Sequence, residues 1–449
     1  MSWLQKLRDD ELFGRVISNS AHLFSNNSIS LLLSLVQTVL AARLLGKSSL
    51  GLIAIVMSYA STINGLFSFR MSEVVVRYGG EYIEKGENQK AAAIIKAASM
   101  VETFVSVLAF IALALTAGLA SHFIAKTPGT ERLFIAFSIG LLANFNAETS
   151  TGILQLTNRI KLIGKINLIQ SVISASIVVA AFLLHGSLAI ILIAYLIGKT
   201  VLGLGLFVAA QVQLRRVLGS GWRNTPLSAL PVPRELFKFA FSSNLSGTII
   251  LIFRESEPLW VGFFLNTAAA GLYKIAYGVV SYLSVPADPL ILTVYPELNR
   301  LVVQKAWPRL RDFLRKVTTL SFAYNMLIAL GLVVFGRWVL SIYGADYVDA
   351  YPVLLVLLLG LVFNYILFWN RPLLLAFGLP TFPLWATLAA GVLKVGLSFP
   401  LVPRYGYVME AALLSFYYIF SVSIIVWRGM KELQHQEILS PADVGPQDS

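Results

Sequence analysis

The stretch Ile249-Ile-Leu-Ile-Phe-Arg-Glu-Ser-Glu-Pro-Leu-Trp-Val-Gly-Phe-Phe264 decides the reading of this chain. It has the apolar character of a membrane-crossing helix, with Arg254, Glu255 and Glu257 near its middle. A charge at bilayer depth is costly, at least roughly 2.5–3.5 kcal/mol on insertion scales, so such residues face a partner or a watery cavity. Arg254 and Glu257 stand three apart, on one helix face, and are placed to pair. Pro258 lacks a backbone donor and predicts a bend at that point. Two readings follow: a helix that contacts a substrate in a central polar cavity, or a buried ion pair that fixes packing. Glu255, which has no obvious local partner, favours the first.

Composition supports the membrane setting. Of 449 residues, 57% are hydrophobic and 13% charged, against about 25% charged in ordinary soluble domains, and mean hydropathy is +0.75. The pattern predicts an all-α polytopic protein of about 12 transmembrane helices, near 21–42, 50–70, 95–119, 132–154, 165–185, 188–210, 240–265, 270–293, 317–340, 350–372, 382–401 and 407–427. An amphipathic run from Lys90 to Lys96 is expected at the interface ahead of the third span. The net charge of +12 does not signal nucleic acid, because Lys and Arg concentrate in short loops between apolar spans. They crowd the N-terminus, the even-numbered loops and the C-terminus, for example Arg77, Lys85, Arg159, Lys161, Arg215, Arg311 and Arg428, which predicts cytoplasmic termini. The absence of cysteine excludes disulfides and thiolate chemistry. The scattered His22, His122, His185 and His435 form no metal spacing, and no catalytic constellation stands out. No Walker-type phosphate loop occurs, so ATP hydrolysis is not expected of this chain, and no cofactor is implied. The start, Met-Ser-Trp-Leu-Gln-Lys, has no signal-peptide pattern.

The expected organisation is a six-helix lobe over 1–210, a basic linker at 211–235, a second six-helix lobe over 236–430 and a disordered tail at 431–449. The lobes carry a weak internal repeat. Phe24-Ser-Asn-Asn-Ser-Ile-Ser30 recurs as Phe241-Ser-Ser-Asn-Leu-Ser246, and Leu44-Leu-Gly-Lys-Ser-Ser-Leu-Gly-Leu52 aligns with Phe264-Leu-Asn-Thr-Ala-Ala-Ala-Gly-Leu272, with a three-residue register shift between the two matches. Both halves enter the membrane in the same direction, which makes this a parallel repeat of the kind found in alternating-access transporters.

Other polar residues fall inside or at the ends of spans: Asn26, Asn27, Glu73, Glu102, Asn144, Asn146, Asp288, Asn325, Asn364, Asn370 and Arg371 among them. Isolated Asn and Ser read first as interhelical hydrogen-bond partners, each worth about 0.6 kcal/mol. Arg70, Glu73, Lys274, Arg371 and Glu410 lie close enough to span ends to snorkel to the interface. Glu148, Lys199 and Lys394 lie deeper, where lining a cavity and structural pairing are both open. The candidate substrate-binding residues are Arg254, Glu255, Glu257, Lys199, Lys394, Lys274 and Arg70, since a cavity lined by Arg and Lys suits an anionic substrate. Glu257, Glu255 and Glu148 are the candidates to carry a coupling proton or Na⁺.

Three segments resemble a known family. Ala42-Arg-Leu-Leu-Gly-Lys-Ser-Ser-Leu-Gly-Leu52 is similar to its Arg-x-Leu-Gly-x-x-x-x-Gly pattern. Glu257-Pro-Leu-Trp-Val-Gly-Phe-Phe-Leu-Asn-Thr-Ala-Ala-Ala-Gly-Leu-Tyr273 resembles its acidic residue, apolar run and Gly-x-Tyr, and Gln155-Leu-Thr-Asn-Arg159 also fits. With two six-span halves, these resemble the Wzx-type polysaccharide (O-antigen) flippases of the multidrug/oligosaccharidyl-lipid/polysaccharide exporter (MOP) superfamily. The resemblance implies a MATE-like architecture in the bacterial inner membrane. It implies translocation of undecaprenyl-diphosphate-linked oligosaccharide for surface polysaccharide biosynthesis, coupled to an ion gradient, with a polysaccharide polymerase and a chain-length regulator as partners. Arg254 would be the first contact for the diphosphate. The Arg-Glu-Ser-Glu of the seventh span is more charged than the pattern. The rival readings are a lipid II flippase, a MATE-type drug or cation exporter, and a membrane-bound polysaccharide polymerase or ligase.

Overall fold

A computed structural model describes residues 11–68, 70–231, 248 and 251–439. Outside the described residues lie the Phe241–Ser246 half of the first repeat match, the end of the expected linker from Val232 and the tail from Ser440. The same holds for the side chains of Asn26, Asn27 and Asp288. Among the described residues there is no strand. The helices are α1 (Glu11–Phe67), α2 (Asn88–Leu119), α3 (Glu131–Ala143), α4 (Ala147–Leu156), α5 (Ile160–Leu183), α6 (Leu188–Val217), α7 (Glu257–Phe264), α8 (Thr267–Ser281), α9 (Ser284–Val303), α10 (Trp307–Ser341), α11 (Tyr351–Ile366), α12 (Asn370–Ala376), α13 (Thr381–Tyr405) and α14 (Tyr407–Leu439). Nine stretches among the described residues are long and apolar enough to cross a membrane. The twelve expected spans fall on this helical sequence wherever it is described. α1 carries the first two, separated at Gly46, whose φ of 70° interrupts the helical backbone.

By internal contact the chain forms two compact units, Ile29–Gly271 and, together, Met1–Ser28 with Leu272–Ser449. In the first, α5 and α6 form a hairpin, and α6 also packs on α3 and α4. Ile94 and Ile95 of α2, Ile153 of α4 and Leu214 of α6 are buried together with Val74 and Val75. The run from Lys90 to Lys96 is the first part of the continuous α2, not a separate interfacial segment. Ala91–Ile95 are buried, and five consecutive buried residues leave no polar face to lie on a membrane surface. The start of the expected linker is folded back on the same core. Trp222 is buried among Ala92, Ile95 and Leu214, and the Lys96 amine donates to the carbonyls of Arg223 and Thr225 at 2.9 and 3.0 Å.

The second unit is built on α14, which packs along α11 and α13. Leu298 of α9, Leu310 and Leu314 of α10, Leu373 of α12 and Leu433 of α14 make its apolar core. Polar contacts are buried in this unit as well. The Trp369 indole donates to Thr318 Oγ1 at 2.7 Å. Lys394 of α13 pairs with Glu410 of α14 at 2.8 Å, both side chains wholly buried. The Ser398 hydroxyl donates to the other carboxylate oxygen of Glu410 at 3.0 Å. Glu410 therefore does not snorkel. A cation one helix away satisfies it in place.

The aligned repeat segments meet within the first unit. A Cβ placed on Gly51 would lie 1.8 Å from the Thr267 carbonyl oxygen, and one on Gly271 would lie 2.0 Å from the Lys47 carbonyl oxygen. The repeat aligns Gly51 with Gly271 and Lys47 with Thr267, so each glycine lies against the counterpart of its own preceding turn. Contact that is self-reciprocal is what a two-fold relation produces, and only glycine lets the backbones come so close.

Gly51→Ala and Gly271→Ala should each lower the unfolding temperature in detergent, by the roughly 1–3 kcal/mol of an overpacked site or more. The double variant should cost less than the sum, because both methyls displace the same helices. Gly278→Ala, which meets open space, should be neutral or mildly stabilising. For the ion pair, Lys394→Met should destabilise by about 3–5 kcal/mol, and Lys394→Met with Glu410→Leu by much less, since the second change removes the stranded carboxylate. Thermal unfolding of the three proteins checks this, and equal loss in single and double variants would contradict it.

Candidate functional site

The seventh span is broken ahead of Pro258 rather than at it. Leu251–Glu255 form a π-helical turn, Ser256 leaves helical geometry (φ −89°, ψ 16°), and α7 starts at Glu257. In the π turn the Ser256 N–H reaches the Leu251 carbonyl at 3.0 Å, which deprives the Ile252 carbonyl of its α-helical donor. The Ser256 hydroxyl at 2.6 Å and the Trp260 indole N–H at 3.1 Å donate to it instead. Pro258 sits in the first turn of α7, where no intrahelical donor is required. At the far end the Lys126 amine donates to the Leu265 carbonyl at 3.0 Å. The break separates Arg254 from Glu257, so the three-residue spacing does not place them on one continuous helix face. Glu257 is buried, Arg254 is half-buried with its Nε inaccessible, and Glu255 is exposed.

A second break creates a cavity. The fourth span is two helices, α3 and α4, parted at Asn144–Asn146. Asn144 donates through Nδ2 to the carbonyls of Gly140 (2.8 Å) and Lys199 (3.1 Å). Asn146 is buried and donates to Thr103 Oγ1 at 2.9 Å, while the Ser99 hydroxyl donates to its Oδ1. The exposed N-terminus of α4 needs acceptors for its first N–H groups. Glu102 of α2 supplies them: its two carboxylate oxygens accept from the backbone N–H of Glu148 at 2.8 Å and of Thr149 at 2.9 Å. A carboxylate there is favoured further by the helix dipole. The cap thus comes from a neighbouring helix rather than from the residue before α4.

Beside this break lies a cavity of about 280 Å³. Its polar lining is Asn64, Ser68, Glu102, Ser106, Asn144, Glu148 and Lys199; Met71, Val105, Leu141 and Leu202 contribute apolar wall. The Glu148 carboxylate accepts a hydrogen bond from the Ser72 hydroxyl. The Lys199 amine lies 5.2 Å from the centre of the Phe137 ring, a cation–π contact. Two carboxylates and one ammonium therefore share a space walled by membrane-spanning helices, and the lining offers both donors and acceptors for a hydroxyl-rich or charged ligand.

Of the residues singled out from sequence, Glu148 and Lys199 are brought together here. Arg254, Glu255 and Glu257 flank the seventh-span break and are not among the cavity's lining residues. Arg70, at a left-handed φ of 46°, is exposed and paired with Glu73 at 3.2 Å. Lys394 is engaged with Glu410 inside the second unit, where Lys274 also lies, exposed. Among the described residues no group of three or more His, Cys, Asp or Glu is disposed to hold a metal. Glu102 was legible only as one more polar residue in a span. Its proximity to the Asn144-Phe-Asn-Ala-Glu148 run became meaningful once that run proved to be a helix break.

Glu102→Leu should lower thermal stability by about 1–2 kcal/mol, the usual worth of a helix N-cap, and Glu102→Gln by less, because the amide oxygen retains one acceptor. Unfolding in detergent, read for both variants beside the native protein, gives the comparison.

A family model described as "Polysaccharide biosynthesis protein" matches residues 16–302. The chain is 26% identical over 350 residues to the inner membrane protein YghQ of Escherichia coli (strain K12), covering 77% of this chain and 97% of that one. Among solved structures, an inward-facing multidrug resistance MATE family transporter of the MOP superfamily aligns with TM-score 0.69 at 13% identity, over 92% of this chain and 96% of that one. A MOP superfamily transporter from Pyrococcus furiosus, described as having a binding pocket of reverse polarity, aligns with TM-score 0.64 at 12% identity, over 97% and 99% of the two chains. At such identities the structural matches establish the MATE-like fold, and the family match covers more than half of the sequence. The chain belongs to the polysaccharide biosynthesis protein family and is an all-helical polytopic membrane protein with a MATE-like fold.

Proposed function

We propose that the protein is a flippase that carries an undecaprenyl-diphosphate-linked oligosaccharide across the cytoplasmic membrane for surface polysaccharide synthesis. The observation that carries this reading is the family match across residues 16–302, joined to a membrane-embedded cavity rich in hydrogen-bonding groups. Sugar hydroxyls both donate and accept, and Asn64, Ser68, Ser106, Asn144 and the Glu148 carboxylate present complementary groups. At about 280 Å³ the cavity lies just under the roughly 300–1,000 Å³ of small-molecule sites, so it suits part of such a substrate. Lys199 is the cation in this cavity for an acidic sugar or a phosphate oxygen. Arg254, with Lys274 and Arg70, remains a candidate for the diphosphate. Glu148, Glu255 and Glu257 remain candidates for ion coupling, and a polysaccharide polymerase and a chain-length regulator for partners.

One observation favours a second reading. Carboxylates outnumber the ammonium in the described cavity, two against one, a balance that suits a cationic cargo such as that of a drug or cation exporter.

Proteoliposomes loaded with a fluorescent undecaprenyl-diphosphate oligosaccharide, with an imposed proton gradient, separate the two. The native protein should move the lipid-linked glycan between leaflets. Lys199→Met and Arg254→Ala, verified as folded, should each slow it about tenfold or more, the effect of losing a charge-assisted hydrogen bond. Gradient-driven accumulation of a lipophilic cation without glycan movement would transfer the assignment to the exporter reading.

A further inference from the structure

The α5–α6 hairpin carries a second depression that the transport reading leaves unused. It opens where α5 begins and α6 ends, has a volume of about 660 Å³, and is lined by Asn158, Arg159, Lys161, Lys165, Gln213 and Arg216 beside Ile160 and Leu162. Four cations and no carboxylate face it. Among the described residues the side chains of Arg159, Lys161, Lys165 and Arg216 make no ion pair or hydrogen bond. Like charges gathered this closely repel one another, so the arrangement favours occupancy by an anion. Gln213 adds an independent sign. The residue is only 7% exposed, it lines the depression, and its amide makes no hydrogen bond to a described residue, which leaves that amide to be satisfied by whatever fills the depression.

The backbone adds donors. Asn158 takes φ 55° and turns the chain sharply from α4 into α5, so the first N–H groups of the 24-residue α5 lie at the depression. A helix N-terminus beside guanidinium groups is a favourable place for phosphate oxygens. The flanks identify the source of that phosphate. α5 and α6 both qualify as membrane spans, and Ile169 and Val172 of α5 with Val208 and Val212 of α6 leave apolar side chains exposed. Such flanks suit acyl chains, and the cationic depression terminates the same two spans, at the level of headgroups.

We propose that this depression binds the phosphate headgroup of an anionic phospholipid of the surrounding bilayer, at a site separate from the cavity of Glu102, Glu148 and Lys199. Basic pockets between spanning helices are known receptors for anionic headgroups, and each Lys or Arg near an anionic surface contributes independently.

The test uses full-length protein, delipidated in detergent and titrated with phosphatidylglycerol or phosphatidylcholine while retained lipid is counted by native mass spectrometry. The native protein should hold one phosphatidylglycerol in preference to phosphatidylcholine. Arg159→Gln/Lys165→Gln/Arg216→Gln should weaken that binding on the order of 100-fold. Lys305→Gln/Arg309→Gln/Arg315→Gln, with the same change in net charge elsewhere, should leave it unchanged. Gln213→Leu, which retains every charge, should also weaken it, and serves if the triple variant does not fold. Equal loss in the two triple variants, or no preference for phosphatidylglycerol, would overturn the proposal. Displacement of the lipid by inorganic phosphate at equal concentration would overturn it as well and make the site a free-phosphate site.

Discussion

In a hydrocarbon environment a helix ends only where something else takes over its hydrogen bonds. The parts of this protein that invite a functional reading are places where that rule is met by unusual means. At Ser256 the chain leaves its helix, and the Ile252 carbonyl is served by a serine hydroxyl and an indole N–H from the next turn. At Asn144–Asn146 the chain breaks again, and a carboxylate two helices away in sequence, Glu102, takes over the N–H groups that open α4. Both arrangements place polar atoms at membrane depth, and the second leaves a cavity beside them. The cavity follows from the break: had the fourth span continued unbroken, Asn144 would have had no call to reach the Lys199 carbonyl.

The chain's architecture was readable from sequence because it depends on averages over many residues. Apolar runs are statistical properties, and spans such as 188–210 and 407–427 appear in the structure as α6 and α14. The interruptions were not readable in the same way. Pro258 is a strong local signal, yet the backbone departs at Ser256, because a proline in the first turn of a helix is tolerated and the π turn before it is stabilised by side chains further along. Glu410 stands near a span end and suggested the interface, but its partner Lys394 is brought beside it by the packing of α13 on α14. Pairings of that kind depend on which helices become neighbours, and hydropathy holds no record of that. Lys199 and Glu148 were visible as deep charges; that they share one space with Glu102 required three helices to be placed.

The distribution of charge bears on what the cavity can hold. Arg254 made the seventh span look cationic, whereas the described cavity combines one ammonium with two carboxylates, one of which is committed to holding a helix start. A carboxylate already serving as a structural cap is a poor free acceptor, so the groups left to meet a ligand are Glu148, Lys199 and neutral amides and hydroxyls. That mixture suits sugars better than the count of charges alone suggests.

The reciprocal approach of Gly51 and Gly271 has a consequence for how such a chain changes over evolutionary time. Most packed pairs drift by compensation, one residue growing as the other shrinks. Here both positions already hold the smallest residue, each abutting the other segment's main chain, so neither has volume to give up. The two sites form a single locked unit, a pair of positions that cannot trade volume with each other, and any variation must come from the residues around them.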